Sequence, residues 1–187
     1  MKKLLLSLAI FCLAFPDSAT KEFMYAPWRS AYNKKASTTT TCPFCRDLQK
    51  QKEDKKNLIL LRAKTCAIFL NLFPYTKGHL MVIPYRHVRS LSQLSQEERA
   101  ELLDLAAGCT QILEQEYGFK DFNAGFNIGR PAGASVCEHI HMHIVPRWVG
   151  DFGFQDILFD TRVISCDLDE FYAKLLPHFQ KMFPEYY

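Results

Sequence analysis

The sequence predicts an α+β domain built on an antiparallel sheet. Short β-prone runs outnumber helical ones, and several are adjacent in sequence with only turn residues between them. The glycine signatures of parallel nucleotide-binding sheets are missing. There is no Walker loop, and Gly125, Gly129 and Gly133, spaced by four, do not form the dinucleotide fingerprint.

The elements follow in order. Residues 33–41 form a polar loop that leads into Cys42-Pro-Phe-Cys45, and residues 46–57 are strongly charged, a solvated helix or loop. Residues 58–62 and 65–72 read as two strands around Ala63 and Lys64. Residues 74–78 form a turn, and residues 79–84 a third strand. Ser95 and Glu98 have the capping-box spacing. Leu102, Leu103, Leu105, Ala106, Cys109, Ile112 and Leu113 then recur at helical intervals, and Gly118 ends the helix. Residues 122–128 are a strand, residues 129–134 a loop, and residues 139–146 a strand of strict alternation. Asp167 and Glu170 open a last helix, in which Pro177 predicts a kink or break.

Composition narrows the function. The 187 residues are 48% hydrophobic, enough for an ordinary core and too many for a disordered chain. With 23 basic and 20 acidic residues the net charge is +3, too even a balance to predict a nucleic-acid polymer as partner. Seven cysteines, an odd count with one close pair, argue against a disulfide framework. Cys42 and Cys45 stand at zinc-ligand spacing, with redox use as the competing reading.

The N-terminus carries Lys2 and Lys3 before a twelve-residue apolar run, residues 4–15. The run is too short for a membrane anchor and has the shape of an export signal, but the residues after it make a poor cleavage site. Met24 opens a sensible alternative start.

The most informative stretch is His139-Ile-His-Met-His-Ile-Val-Pro146. Three of the six histidines fall here, at alternate positions, so in a strand their rings share one face while Ile140, Met142 and Ile144 share the other. Two chemistries suit three aligned imidazoles. One is a metal site; the other is nucleophilic catalysis, with one ring attacking and its neighbours binding an anion.

Residues 139–145 match the His-φ-His-φ-His-φ-φ signature, and the sequence resembles the histidine triad (HIT) superfamily. Asn71 with Gly78-His-Leu-Met-Val-Ile-Pro84 and His87, and Asn127-Ile-Gly-Arg-Pro-Ala-Gly-Ala134, resemble two further blocks of that family. Ala26-Pro-Trp-Arg29 and Pro146-Arg-Trp-Val-Gly-Asp151 are similar to the branch near the diadenosine tetraphosphate phosphorylases and hydrolases. The sequence departs from the family in two places. Ser135 stands where many members carry glutamine, and residues 150–154 lack the Asp-x-Asn-Phe-Met run of the phosphorylase-like branch.

The resemblance implies a HIT-like five-stranded antiparallel meander with one long and one C-terminal helix. It also implies a division into an extension, residues 1–23, and a HIT domain, residues 24–187. The implied function is hydrolysis or transfer at the α-phosphate of a nucleoside polyphosphate or phosphoramidate, through a nucleotidyl-histidine. A nucleotide-sensing module of little turnover and a zinc-stabilised scaffold are the alternatives. His141 would be the nucleophile and His143 its phosphate-binding neighbour. Ser135 would assist, with backbone N–H groups of Gly133, Ala134 and Ser135 receiving phosphate oxygens. Asn71 would contact the ribose and Asn127 the phosphates, with His79 supporting the triad. Cys42, Cys45, His87 and His139 would hold a structural zinc, and Mg2+ would accompany a polyphosphate. The implied assembly is a homodimer taking a small nucleotide, with no membrane anchor. The start at Met24 leads us to expect the cytoplasm, with export through a signal as the alternative.

Overall fold

The computed structural model describes residues 41–151 and 166–187. The extension 1–23, the loop 33–40, the block 26–29 and residues 152–154 lie outside the described residues.

The chain runs through α1 (Pro43–Leu48), β1 (Ile59–Arg62), β2 (Cys66–Leu70), β3 (Leu80–Pro84), α2 (Gln96–Tyr117), β4 (Asp121–Phe126), β5 (Met142–Arg147) and α3 (Leu168–Met182). Most boundaries follow from local chemistry. Pro43 sits at the start of α1, where its missing N–H costs nothing. Leu58 adopts φ +57°, outside the β region, so β1 begins one residue later than the apolar run suggests. Asn71 ends β2 early: its Oδ1 accepts the Phe73 N–H at 2.9 Å and turns the chain off the sheet. Ser95 caps α2, with its hydroxyl accepting from the Glu98 N–H and the Glu98 carboxylate accepting from the Ser95 N–H. Gly118 closes the helix at φ +70°, a left-handed position that suits glycine. Asp167 caps α3 by accepting the Glu170 N–H at 2.9 Å.

All five strands pair antiparallel, as predicted, in the order β1-β2-β3-β5-β4. The meander holds for β1 to β3. After β3 the chain crosses the sheet in α2 and returns as β4 on the far edge, and β5 then fills the gap beside β3. Two further expectations change. Helix α3 continues through Pro177 to Met182, so the proline does not break it. Leu103, counted into the apolar stripe of α2, is 57% exposed, while its stripe-mates Leu102, Leu105, Cys109, Ile112 and Leu113 are buried.

Strands β2 and β3 are buried along their whole length because both faces are covered. Ile68, Leu70, Leu80, Val82, Met142 and Ile144 join the buried stripes of α2 and α3 in the main core. The opposite face carries a smaller cluster of Ile59, Ala67, Phe69, Met81 and Ile83, closed by Leu48 of α1 with Phe44 beside it. The β1–β2 turn is tied to α2 by Glu101, which accepts from the backbone N–H groups of Lys64, Thr65 and Cys66 at 3.1, 2.6 and 3.0 Å. The segment after β3 is tied down in the same way. Arg86 donates twice to Glu98, both at 2.6 Å, and this fixes the backbone next to His87.

Candidate active site and metal centre

The functional side chains gather on the sheet face covered by α1. Met81 of β3 pairs with His143 of β5, and Gly125 of β4 pairs with His143 from the other side. His141 precedes that pair by two residues, so it continues the same face. Strand β5 begins only at Met142, so the first two histidines lie just ahead of the ladder. The alternation survives, because Ile140 is held to Val88 by a backbone bond of 2.7 Å and is buried in the main core.

Each of the three histidines has its ring proton placed by a different partner. His139 donates from Nε2 to the Pro84 carbonyl at 2.8 Å, which leaves Nδ1 a bare lone pair. His141 donates from Nδ1 to the His139 carbonyl at 2.8 Å, which leaves Nε2 as the lone pair. His143 is set by a relay. The Tyr75 N–H donates to His79 Nδ1 at 3.0 Å, so His79 carries its proton on Nε2 and donates to His143 Nδ1 at 2.9 Å. His143 then carries its own proton on Nε2. One face thus presents a bare ring nitrogen at His141 and an N–H donor at His143, with ring centroids 4.8 Å apart. Burial lowers the pKa of His141, which keeps the ring neutral and nucleophilic at neutral pH.

Burial also pushes His139 down to about 4, with His87 acting in the same direction. The Nδ1 atom of His139 lies 3.4 Å from Cys42 Sγ, 3.5 Å from Cys45 Sγ and 3.3 Å from His87 Nδ1, and Cys45 Sγ lies 3.3 Å from His87 Nδ1. All four ligand atoms fall within 4.8 Å of one another. A tetrahedral zinc with bonds of about 2.3 Å to sulfur and 2.05 Å to nitrogen would set S···N near 3.6 Å and N···N near 3.4 Å. The four residues therefore fit such an ion. The chemistry of the donor set agrees: a bare imidazole nitrogen approached on several sides by thiols and another imidazole is better served by one cation than by shared protons. Burial, followed by the neighbouring Cys42, raises Cys45 to about 11, so without a cation the thiol stays protonated. The bond from His139 to Pro84 would serve as the outer contact that orients the histidine were it to bind a metal.

The remaining predicted residues are placed as follows. Asn71 is buried, and its Nδ2 lies 3.2 Å from His79 Nδ1, so it braces the relay. Asn127 follows β4 by one residue and is half-buried. Gly133 is left-handed at φ +94°, Ala134 is buried and Ser135 half-buried. Two of the backbone N–H groups expected to receive phosphate oxygens have partners within the loop. Gly133 donates to the Arg130 carbonyl at 2.9 Å and Ala134 to the Gly129 carbonyl at 3.2 Å, so both are engaged in closing the turn.

Two features went unread in the sequence. Gly125 has open space where a Cβ would stand, and it is the direct partner of His143. A glycine inside a strand often marks room for a ligand, which was the available signal. Phe44 touches the rings of both His139 and His141, with centroids 5.6 and 5.0 Å away. No periodicity announces a contact between residues so far apart in the chain.

Comparison with known proteins agrees with this geometry. The family model described as HIT domain matches residues 51–149, more than half of the chain. The protein belongs to the HIT domain family. AP-4-A phosphorylase from Mycobacterium tuberculosis is 41% identical over 114 residues, 61% of this chain and 58% of that protein. Bis(5'-nucleosyl)-tetraphosphatase [asymmetrical] from Schizosaccharomyces pombe is 35% identical over 101 residues, 54% of this chain and 55% of that protein. The chain thus spans less than three fifths of the length of either relative. A Zn-bound histidine triad family protein from Mycobacterium smegmatis shares the fold with a TM-score of 0.62 at 23% identity, covering 78% of this chain and 97% of that one.

Proposed function

We propose that this protein is a nucleotide hydrolase or nucleotidyl transferase that acts on a dinucleoside polyphosphate, or on a nucleoside phosphoramidate, at the α-phosphate. The observation that carries the proposal is the pairing of tautomers on one face. His141 presents a lone pair on Nε2, and His143 presents an N–H beside it.

In the reaction we infer, His141 Nε2 forms a bond to the α-phosphorus while the bond from phosphorus to the leaving oxygen or nitrogen breaks. The electron pair departs with the leaving group. The His139 carbonyl, which accepts the Nδ1 proton, stabilises the cationic ring that results. His143 donates to a phosphoryl oxygen or to the leaving atom, and the Tyr75–His79 relay keeps that donor aimed. Water or phosphate then attacks phosphorus from the opposite side, the P–N pair returns to His141, and in hydrolysis the proton of the attacking water passes to solvent. We assign the phosphates to the open space beside Gly125, with Ser135 and Asn127 as further phosphate contacts and Asn71 as the ribose contact. Phosphate binding requires the Gly133 and Ala134 N–H groups to exchange their turn bonds for phosphate oxygens.

We further infer that Cys42, Cys45, His87 and His139 hold zinc as a closed structural site, which fixes α1 and the start of the histidine segment and takes no part in bond-making. Among the described residues this is the one cluster of three or more metal-ligating side chains, so Mg2+ would arrive with the phosphates. The described residues include no helix long and apolar enough to cross a membrane. We also propose the expected homodimer, formed through α2 and a sheet edge; among the described residues β1 and β4 are the outer strands.

The test is a panel of dinucleoside polyphosphates and nucleoside phosphoramidates, with and without inorganic phosphate. Product that requires His141 supports the enzyme, and dependence on phosphate distinguishes phosphorolysis from hydrolysis. Saturable binding with no product would replace the enzyme by a sensing module.

A further inference from the structure

The Cys42-Pro-Phe-Cys45 turn does more than supply two ligands. Between the two cysteines it projects Phe44, whose ring meets His141 with centroids 5.0 Å apart and planes at 62°, and His139 with centroids 5.6 Å apart and planes at 90°. Both contacts are edge-type aromatic pairs, the favoured geometry. Phe44 cannot easily leave this position. A metal ligand flanks it on either side, Pro43 limits the backbone before it, and its far side rests on Phe69 at 6.1 Å. Leu48, one turn further along α1, is buried in the same small cluster.

The His141 ring is held by the hydrogen bond from its Nδ1 to the His139 carbonyl. A single hydrogen bond leaves an imidazole free to swing about the donor direction. The His143 ring limits that swing on one side at 4.8 Å, and Phe44 limits it on another. Phe44 also removes water from the ring, which is 6% exposed.

We propose that Phe44 is a positioning residue for His141, through which the metal-bound turn sets the angle of the nucleophile and keeps its Nδ1 proton directed at the His139 carbonyl. The proposal rests on reading His141 as the nucleophile. It gives the structural zinc a route to the reaction without contact with substrate: the ion holds Cys42 and Cys45, the cysteines hold Phe44, and Phe44 holds the attacking ring. Misplacing a reacting atom by ~1 Å costs on the order of 100-fold in rate, so even a small loosening of the ring is measurable.

The test compares Phe44→Leu and Phe44→Tyr with the wild-type protein, each isolated with its metal and checked for zinc content. Phe44→Leu keeps an apolar filler but loses the aromatic edge; Phe44→Tyr keeps the edge. The expected result is full zinc in both. In Phe44→Leu, kcat falls about tenfold or more while KM stays within about twofold. Phe44→Tyr returns kcat close to wild type. A second readout is independent of turnover. Nitrogen-15 NMR of the His141 ring should show one protonated nitrogen, Nδ1, and one bare nitrogen, Nε2, in the wild type and in Phe44→Tyr, and averaged tautomers in Phe44→Leu. A rise in KM at constant kcat would overturn the proposal in favour of a direct contact with the nucleotide base. Unchanged tautomer signals in Phe44→Leu would overturn it as well. If the wild type turns over no member of the substrate panel, the assigned reaction fails, while the NMR comparison still decides whether Phe44 orders the ring.

Discussion

At the scale of single residues, placement of protons matters more than the count of histidines. Three of them alternate in sequence, but their roles differ because Pro84, the backbone of residue 139, and His79 each select a different ring nitrogen. His141→Ala should therefore leave the fold and nucleotide binding largely intact and abolish turnover. Steady-state kinetics on the most active substrate checks this. Retention of activity within tenfold, worth only about 1.4 kcal/mol of transition-state stabilisation, would contradict the assignment. His79→Phe removes the donor that sets His143. We expect a fall in kcat with a smaller effect on substrate binding, read from kcat and KM measured together.

The residue scale also shows what a sequence can reveal. Residues whose role follows from local spacing were legible: the alternating histidines, the Ser95–Glu98 box, and the Asp167 cap. Residues whose role depends on contacts between distant segments were not. Phe44 reaches His141 only after the chain has folded through four strands and a long helix. The engaged N–H groups of Gly133 and Ala134 depend on turn geometry that composition does not encode.

At the scale of elements, α1 and the segment after β3 are short and cannot be stable alone. Each is held by something other than its own backbone. For α1 it is Leu48 and, in the proposed zinc site, Cys42 and Cys45. For the segment carrying His87 it is the pair of hydrogen bonds from Arg86 to Glu98. Cys42→Ser should lower both the zinc found by metal analysis and the melting temperature, because metal binding is linked to folding. A metal-free variant of unchanged stability and full activity would remove the site from the account.

The Arg86 pair carries its own pH signature. The hydrogen bonds from Arg86 lead the causes that hold the Glu98 carboxyl down at about 2, well below its ordinary value. A carboxyl whose pKa is lower in the folded state contributes stability that is complete above its unfolded pKa of about 4.3 and is lost as pH falls toward the folded value. Melting curves of the wild type and Glu98→Gln should thus converge between about pH 4.3 and 2 and stand furthest apart above that range. Curves that keep a constant separation down to pH 2 would show that Glu98 adds no such term.

At the scale of the whole molecule, the sheet separates two jobs. One face, under α2 and α3, is a large apolar core. The other, under α1, holds a smaller apolar cluster beside the histidines and the candidate metal ligands. Fold class, strand number and pairing sense were legible because adjacent short strands can pair only antiparallel across tight turns. The exchange of β4 and β5 was not, because strand order depends on where α2 sets the chain down. The same is true of Gly108 inside α2. A Cβ there would collide with the ring of Phe183, so this glycine lets the C-terminal segment approach the helix. Gly108→Leu should destabilise the protein by roughly 1–3 kcal/mol through overpacking, measured by denaturant unfolding. A neutral effect would mean that residues 183–187 move aside without cost.

In the proposed reaction His141 becomes covalently bonded to the substrate's α-phosphorus. The most direct measurement is a rapid-quench single turnover with diadenosine tetraphosphate or the most active member of the panel, followed by peptide mass spectrometry under conditions that preserve phosphoramidate bonds. The account predicts a transient nucleoside monophosphate adduct on His141 that forms before product and decays as product appears. Product formed at full rate with no adduct, or with the adduct on another residue, would contradict it.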